Sequence, residues 1–243
     1  MSSVIMSITG TIFIGLILAI SIRALFYGFR AVALGKRAVP SSQSPVTPHK
    51  RVLILGDSIA VGVGASAPET SLVGRLIQSY PHLHIDNRAK NALGFNEVEQ
   101  VLANITDETY DIVILSVGGM DVLRCTPFSS IAKHVARIQE HLHRLGVHQT
   151  ILVSVNNVGN APMWGFPLNR FFDRRSRNLT EHLATLSVKY NILHVPLYRE
   201  KYTDPLIQQP NLFAEDGTHP NDQGYAIWYN HIQSIIHPHM HHD

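Results

Sequence analysis

The 243-residue chain has a single cysteine, Cys125. One thiol forms no intrachain disulfide and no CxxC redox or metal site, and it reads as a small buried hydrophobe. Acidic residues are missing from the first 50 positions, and residues 1–22 carry no charged side chain. The basic residues of that segment are Arg23, Arg30, Lys36, Arg37 and Lys50. The remaining 15 of the 20 Lys/Arg therefore share residues 51–243 with all 18 Asp/Glu, a net charge of −3. The overall excess of positive charge belongs to the N-terminal segment, which excludes a broadly cationic, nucleic-acid-binding body. No Gly-Lys-Ser/Thr follows a glycine-rich turn, which argues against a phosphate loop, and no internal repeat is visible. At 45% hydrophobic and 16% charged, the chain has the composition of a folded domain.

What is present begins with the N-terminal apolar run. It resumes after Arg23 as ALFYGF, and about 20 apolar residues cross a bilayer as a helix. Tyr27 and Phe29, with Arg23 and Arg30, would sit near one interface. Ala31-Val32-Ala33 resembles a signal-peptide cleavage site, but a positive n-region is missing and the apolar stretch is long, so the segment reads as an uncleaved anchor. The flanking charges all follow the span, which places the main domain on the cytoplasmic side by the positive-inside tendency. Residues 36–50, rich in Pro and Ser, read as a tether.

Beyond it, apolar β-branched runs at 51–56, 82–86, 111–118, 150–155 and 191–196 predict strands buried on both faces. Helical patterns near 68–80, 94–104, 127–145, 169–189 and 221–236 alternate with them. This alternation predicts an α/β fold with a parallel sheet covered on both sides. In such sheets ligands gather beyond the C-terminal strand ends, where Gly56-Asp57-Ser58, Gly118-Gly119-Met120-Asp121 and Asn156-Asn157 stand.

Ser58 lies in the glycine-rich stretch GDSIAVGVG (56–64) directly after the first strand. A serine nucleophile needs an exposed hydroxyl, a base and oxyanion donors. Asp216-Gly217-Thr218-His219 supplies a base, His219, and a carboxylate, Asp216, to hold the imidazole in its tautomer from the same compact turn.

In these residues the chain resembles the SGNH/GDSL hydrolases over about residues 51–235. Gly56-Asp57-Ser58 with Gly62 and Gly64 matches the first block of that family, Gly94 the second and Asp216 with His219 the fifth. The resemblance implies a three-layer α/β/α sandwich around a five-stranded parallel sheet (flavodoxin-like). It also implies a Ser58–His219–Asp216 triad cleaving esters or thioesters with neither metal nor organic cofactor, and an oxyanion hole drawn from the backbone of Ser58 and Gly94. The third block departs from the pattern, with Met120 where an oxyanion-binding Asn is expected. A thioether donates no hydrogen bond, so Met120 contributes its backbone only. Two repairs are open: the N–H groups of Ser58 and Gly94, or an amide from Asn156 or Asn157. The alternative is a catalytically impaired binding module.

The resulting organisation is an anchor at 1–30, a tether at 31–50, a hydrolase domain at 51–236 and a His-rich tail at 237–243. The partners expected are a small-molecule or lipid ester and, through the first helix, the membrane. Weaker features surround this core. Gly62-Val63-Gly64-Ala65-Ser66-Ala67 fits a dinucleotide fingerprint with Asp86 ending the next strand, but Gly62 comes six residues after the strand end and the motif leaves DxxH unexplained. In the aromatic loop 161–172, Met163, Trp164, Phe166 and Phe172 are candidates to line an acyl pocket or rest on a bilayer, the alternative being a loop packed on its own core. Arg170, Arg174, Arg175 and Arg177 read as a solvated helix face or an anion-attracting patch. The tail histidines His237, His239, His241 and His242 suggest at most loose metal binding at a free terminus.

Overall fold

The computed structural model describes residues 2–106 and 108–241. Helix α1 (Ser2–Arg37) is followed by β1 (Lys50–Gly56), α2 (Ser58–Val61), α3 (Leu72–Ser79), β2 (Leu83–Asn87), α4 (Phe95–Ala103) and β3 (Ile112–Val117). Then come α5 (Gly119–Leu123), α6 (Phe128–Arg144), β4 (Gln149–Ser154), α7 (Leu168–Tyr190), β5 (Leu193–Pro196), α8 (Pro205–Gln208) and α9 (Asp222–His241). Among the described residues the strands form one five-stranded parallel sheet in the order β2-β1-β3-β4-β5. The strand and helix centres expected from hydrophobic patterning are all found.

Each strand feeds two cores because successive side chains alternate across a sheet. Val52, Ile54, Ile112, Ile114, Ile151 and Val153 face α3 and α9 on one side. Leu53, Leu55, Val113, Leu115, Val117 and Leu152 face α4, α6 and α7 on the other. The result is the expected three-layer sandwich. The chain leaves β1 towards one edge and returns on the other side of β1 as β3, which makes the β1/β3 crevice the switch point where such sheets bind ligands.

Four expectations are corrected. Helix α1 does not end near residue 30 but continues unbroken to Arg37. Residues 38–50 are no loose tether either. Gln43 pairs with Ile85 at the sheet edge through two backbone hydrogen bonds of 2.9 and 2.8 Å, and its side chain donates to the carbonyls of Tyr80 and Leu83. The Pro/Ser composition instead caps the exposed edge of β2. The His-rich tail is helical through residue 241, with Met240 buried against the core, because the apolar stripe of α9 carries on past Pro238. His242 and Asp243 lie outside the described residues. Cys125, expected buried, is exposed at a turn with φ of 54°.

Candidate active site

Gly56 ends β1 where a Cβ would approach the Ser116 carbonyl oxygen to 2.5 Å and Ala60 to 2.9 Å, so only glycine lets the chain turn there against β3. Asp57 then caps α2, its carboxylate accepting the Ile59 N–H at 3.0 Å. This sharp turn sets Ser58 at the first position of α2, at the mouth of the β1/β3 crevice.

The loop before α9 supplies the facing groups. Asp216 is fully buried, and its Oδ1 accepts the N–H groups of Thr218 and His219, both at 3.0 Å. Its Oδ2 lies 2.5 Å from His219 Nδ1, and His219 Nε2 lies 2.8 Å from Ser58 Oγ. Burial pushes the Asp216 carboxyl up, but the His219 hydrogen bond and charge, with the two backbone donors, outweigh it and hold the group below the usual carboxylate range. Ionised Asp216 accepts a hydrogen bond from Nδ1–H, which leaves Nε2 free to take a proton from the serine hydroxyl. Asp57 is also buried. Burial and the nearby Asp121 raise its pKa to about 6 against the lowering effects of the Ile59 N–H and His219.

Ser58 and His219 open into a cavity of about 470 Å³, walled chiefly by apolar groups including Val63, Val117, Leu123, Val155 and Leu197. Met120, Asn156, Met163 and Trp164, four residues singled out in the sequence, line it. Phe166 does not. The chain turns outward at Gly165 towards α7, leaving Phe166 64% exposed beneath the Arg170 guanidinium. Phe172 is buried against Trp164, ring centroids 4.6 Å apart, as support for the wall. Asn157 is committed elsewhere: its side chain donates to Asp173 and to the Arg199 carbonyl. Arg175 is likewise structural, donating to the carbonyls of Val122 and Thr126, and Arg177 pairs with Tyr198 and Glu200.

Gly94 is also displaced from its expected place. It caps α4, and its N–H donates to Glu97 at 2.8 Å instead of facing the cavity. Ala92, two residues earlier, lines the cavity with a left-handed φ of 64°. Within the described residues its N–H has no hydrogen-bond partner. Gly119 and Met120 line the cavity from the first turn of α5, where amides have no intrahelical acceptor. Sequence reading missed two further features. One is Ser154, a buried residue of the cavity wall whose Oγ lies 2.8 Å from Nε2 of the half-buried His194. The other is the contribution of α1, whose Ala31, Val32, Gly35 and Lys36 form part of the wall. A 36-residue helix is about 54 Å long, well beyond the ~30 Å of a hydrocarbon core, and that excess length was a readable signal. The described residues contain no cluster of three or more His, Cys, Asp or Glu placed to hold a metal.

Comparison with known proteins agrees with this fold. A model of the GDSL-like lipase/acylhydrolase family matches residues 54–227. No curated protein sequence matches the chain. Among solved structures, a lipolytic G-D-S-L protein from Veillonella parvula superposes with a TM-score of 0.61 at 18% identity, covering 77% of this chain and 98% of its own. The structure designated TesA gives 0.64 at 15% identity, covering 78% and 99%. The psychrotrophic esterase EstA from Pseudoalteromonas sp. gives 0.59 at 16% identity, covering 79% and 100%. With the family model spanning most of the sandwich, from β1 into α9, the chain belongs to the GDSL-like lipase/acylhydrolase family of ester hydrolases.

Proposed function

We propose that the protein is a membrane-anchored serine hydrolase that cleaves carboxylic esters or thioesters through Ser58, His219 and Asp216. The observation that carries this reading is the unbroken chain Asp216 Oδ2–His219 Nδ1, His219 Nε2–Ser58 Oγ at the rim of an apolar cavity. Ser58 Oγ attacks the acyl carbonyl carbon as its proton passes to His219 Nε2. The oxyanion is held by the N–H groups of Ser58 and Ala92 and by the first turn of α5, and Asn156 is the side-chain amide available to replace the donor lost at Met120. The carbon–oxygen or carbon–sulfur bond then breaks, and His219 returns its proton to the leaving alcohol or thiol. Water, deprotonated by the same imidazole, releases the acid and restores the serine.

Helix α1 serves as an uncleaved anchor: residues 1–22 carry no charged side chain, and an 18-residue window of the helix has a mean hydropathy of 1.7, apolar enough to cross a bilayer. Its basic residues follow the uncharged stretch and favour a catalytic domain on the cytoplasmic side. The test is hydrolysis of p-nitrophenyl esters of graded length by the full chain in detergent. Ser58-dependent turnover is expected, and equal rates for wild type and Ser58→Ala would refute the reading. Met120 favours one second reading, a silent binding module. A fluorophosphonate probe separates the two, because labelling of Ser58 that depends on His219 belongs to an enzyme alone.

A further inference from the structure

Helix α1 is docked on the catalytic loops. Arg23 donates to the Pro162 carbonyl at 3.0 Å, Arg30 donates to the Glu215 carbonyl at 2.9 Å, and Asn91 donates to the Gly35 carbonyl at 2.8 Å. The Tyr27 ring presses on Gly217, inside the Asp216–His219 turn, so closely that a Cβ there would lie 2.6 Å from Cε1. These contacts bring the Ala31–Lys36 turn across the cavity that holds Ser58 and His219.

The outer face of the same helix is an apolar stripe. Ile22, Leu25, Phe29 and Val32 recur at helical spacing and are 57%, 60%, 74% and 58% exposed. The stripe continues the uncharged stretch of residues 1–22 and ends at Val32, which also lines the cavity. Phe166 and Phe171 add exposed aromatic surface on the segment that receives Arg23. Exposed apolar surface continuous with a membrane span has lipid as its natural neighbour.

We propose that α1 is a specificity element as well as an anchor: its Ala31, Val32, Gly35 and Lys36 form a wall of the acyl-binding cavity, and its outer stripe is the route by which an acyl chain passes from the bilayer to Ser58. The inference rests on the serine-hydrolase reading and adds to it a substrate class, acyl esters resident in the lipid layer. Lys36, at the cavity rim, is placed to meet the polar or anionic head of such a lipid.

The experiment uses the full chain reconstituted in phosphatidylcholine vesicles, with p-nitrophenyl decanoate and acetate compared through the ratio of their kcat/KM values. Ala31→Trp and Val32→Trp are expected to lower the decanoate-to-acetate ratio about tenfold by filling the acyl site. Ala33→Trp, on the same turn but outside the wall, leaves the ratio unchanged. An unchanged ratio in both wall variants, or an equal change in Ala33→Trp, overturns the wall. Wild type is further expected to cleave decanoyl lysophosphatidylcholine in the vesicles in preference to soluble decanoyl-CoA, and the opposite preference overturns the bilayer route. The absence of any Ser58-dependent hydrolysis of either p-nitrophenyl ester would instead remove the hydrolase reading beneath both.

Discussion

The Arg30 guanidinium donates to the carbonyl oxygen of Glu215, the residue immediately before Asp216. A side chain of the apolar N-terminal helix thus fixes the backbone from which the buried carboxylate projects. The bond is solvent-exposed, so Arg30→Ala should shift the thermal midpoint by about 2 °C or less. Its effect on catalysis should be larger, since a small misplacement of catalytic groups is costly. A loss of several-fold in kcat is expected in a steady-state ester assay, and unchanged kcat would show that the loop holds its position without the helix.

Removing members of the hydrogen-bonded chain should have unequal effects. Ser58→Ala and His219→Ala should each lower kcat by about 10⁵–10⁶. Asp216→Asn should lower it by about 10⁴, because the amide retains the shape but presents an N–H to Nδ1 and selects the wrong tautomer. The double variant Ser58→Ala/His219→Ala should be no slower than either single one. Additive losses would mean that the two groups act independently.

Met120 stands where a side-chain donor is expected, and it lines the cavity beside Ser58. Met120→Asn should raise kcat by about 10–10², up to the value of one oxyanion donor. A fall in kcat would show that this site, with its α5 and Ala92 amides, is already adapted to the thioether.

Much of this was legible from the residues. The strands are continuous β-branched runs such as Ile112–Val117, and nothing but a doubly covered parallel sheet buries them on both faces. Ser58, Asp216 and His219 were legible because the chemistry needs those types in two short turns. Tertiary choices were not. Gly94 has a glycine's freedom in any reading, and only the fold shows that Glu97 takes its N–H while Ala92 adopts the left-handed turn at the cavity. Residues 38–50 read as a tether by composition, yet an open sheet edge beside β2 gave Gln43 a backbone partner. The excess length of α1 signals that it outruns a bilayer, but composition does not say that its second half rests on Gly217.

Asp57 offers a pH-dependent test. Its folded pKa of about 6 lies above the ordinary 3.8, chiefly through burial. The native state therefore binds a proton between about pH 4 and pH 6 that the unfolded chain does not, and stability from this group falls as pH rises through that window. Above pH 6 the buried charge costs about 3 kcal/mol by linkage, an upper estimate. Asp57→Asn keeps the cap on the Ile59 N–H and removes the charge, so its thermal midpoint should exceed wild type by several degrees at pH 8 and match it near pH 4. Equal midpoints at both pH values would show that folding does not raise the pKa of Asp57.

The two positions that exchanged roles give the last prediction. Ala92 holds a left-handed φ that costs a non-glycine residue roughly 1 kcal/mol, so Ala92→Gly should leave stability unchanged or raise it slightly, the relief being partly offset by a more flexible unfolded chain. Its N–H is preserved, and kcat should stay within about twofold. Gly94→Ala meets a different obstacle. The new Cβ would lie 2.9 Å from Asp121 Oδ2 and 3.2 Å from its Cγ, and that buried carboxylate accepts the Phe95 N–H. Displacing it leaves a buried polar group short of a partner, so a destabilisation of about 1–3 kcal/mol is expected in thermal or urea unfolding. Neither substitution removes a backbone N–H, so the discriminating variant is Glu97→Ala, which frees the Gly94 N–H: an oxyanion role for Gly94 predicts a rise in kcat, and a purely capping role predicts lost stability with kcat little changed. Measuring Glu97→Ala beside Gly94→Ala for midpoint and turnover decides whether Gly94 belongs to the fold or to the site.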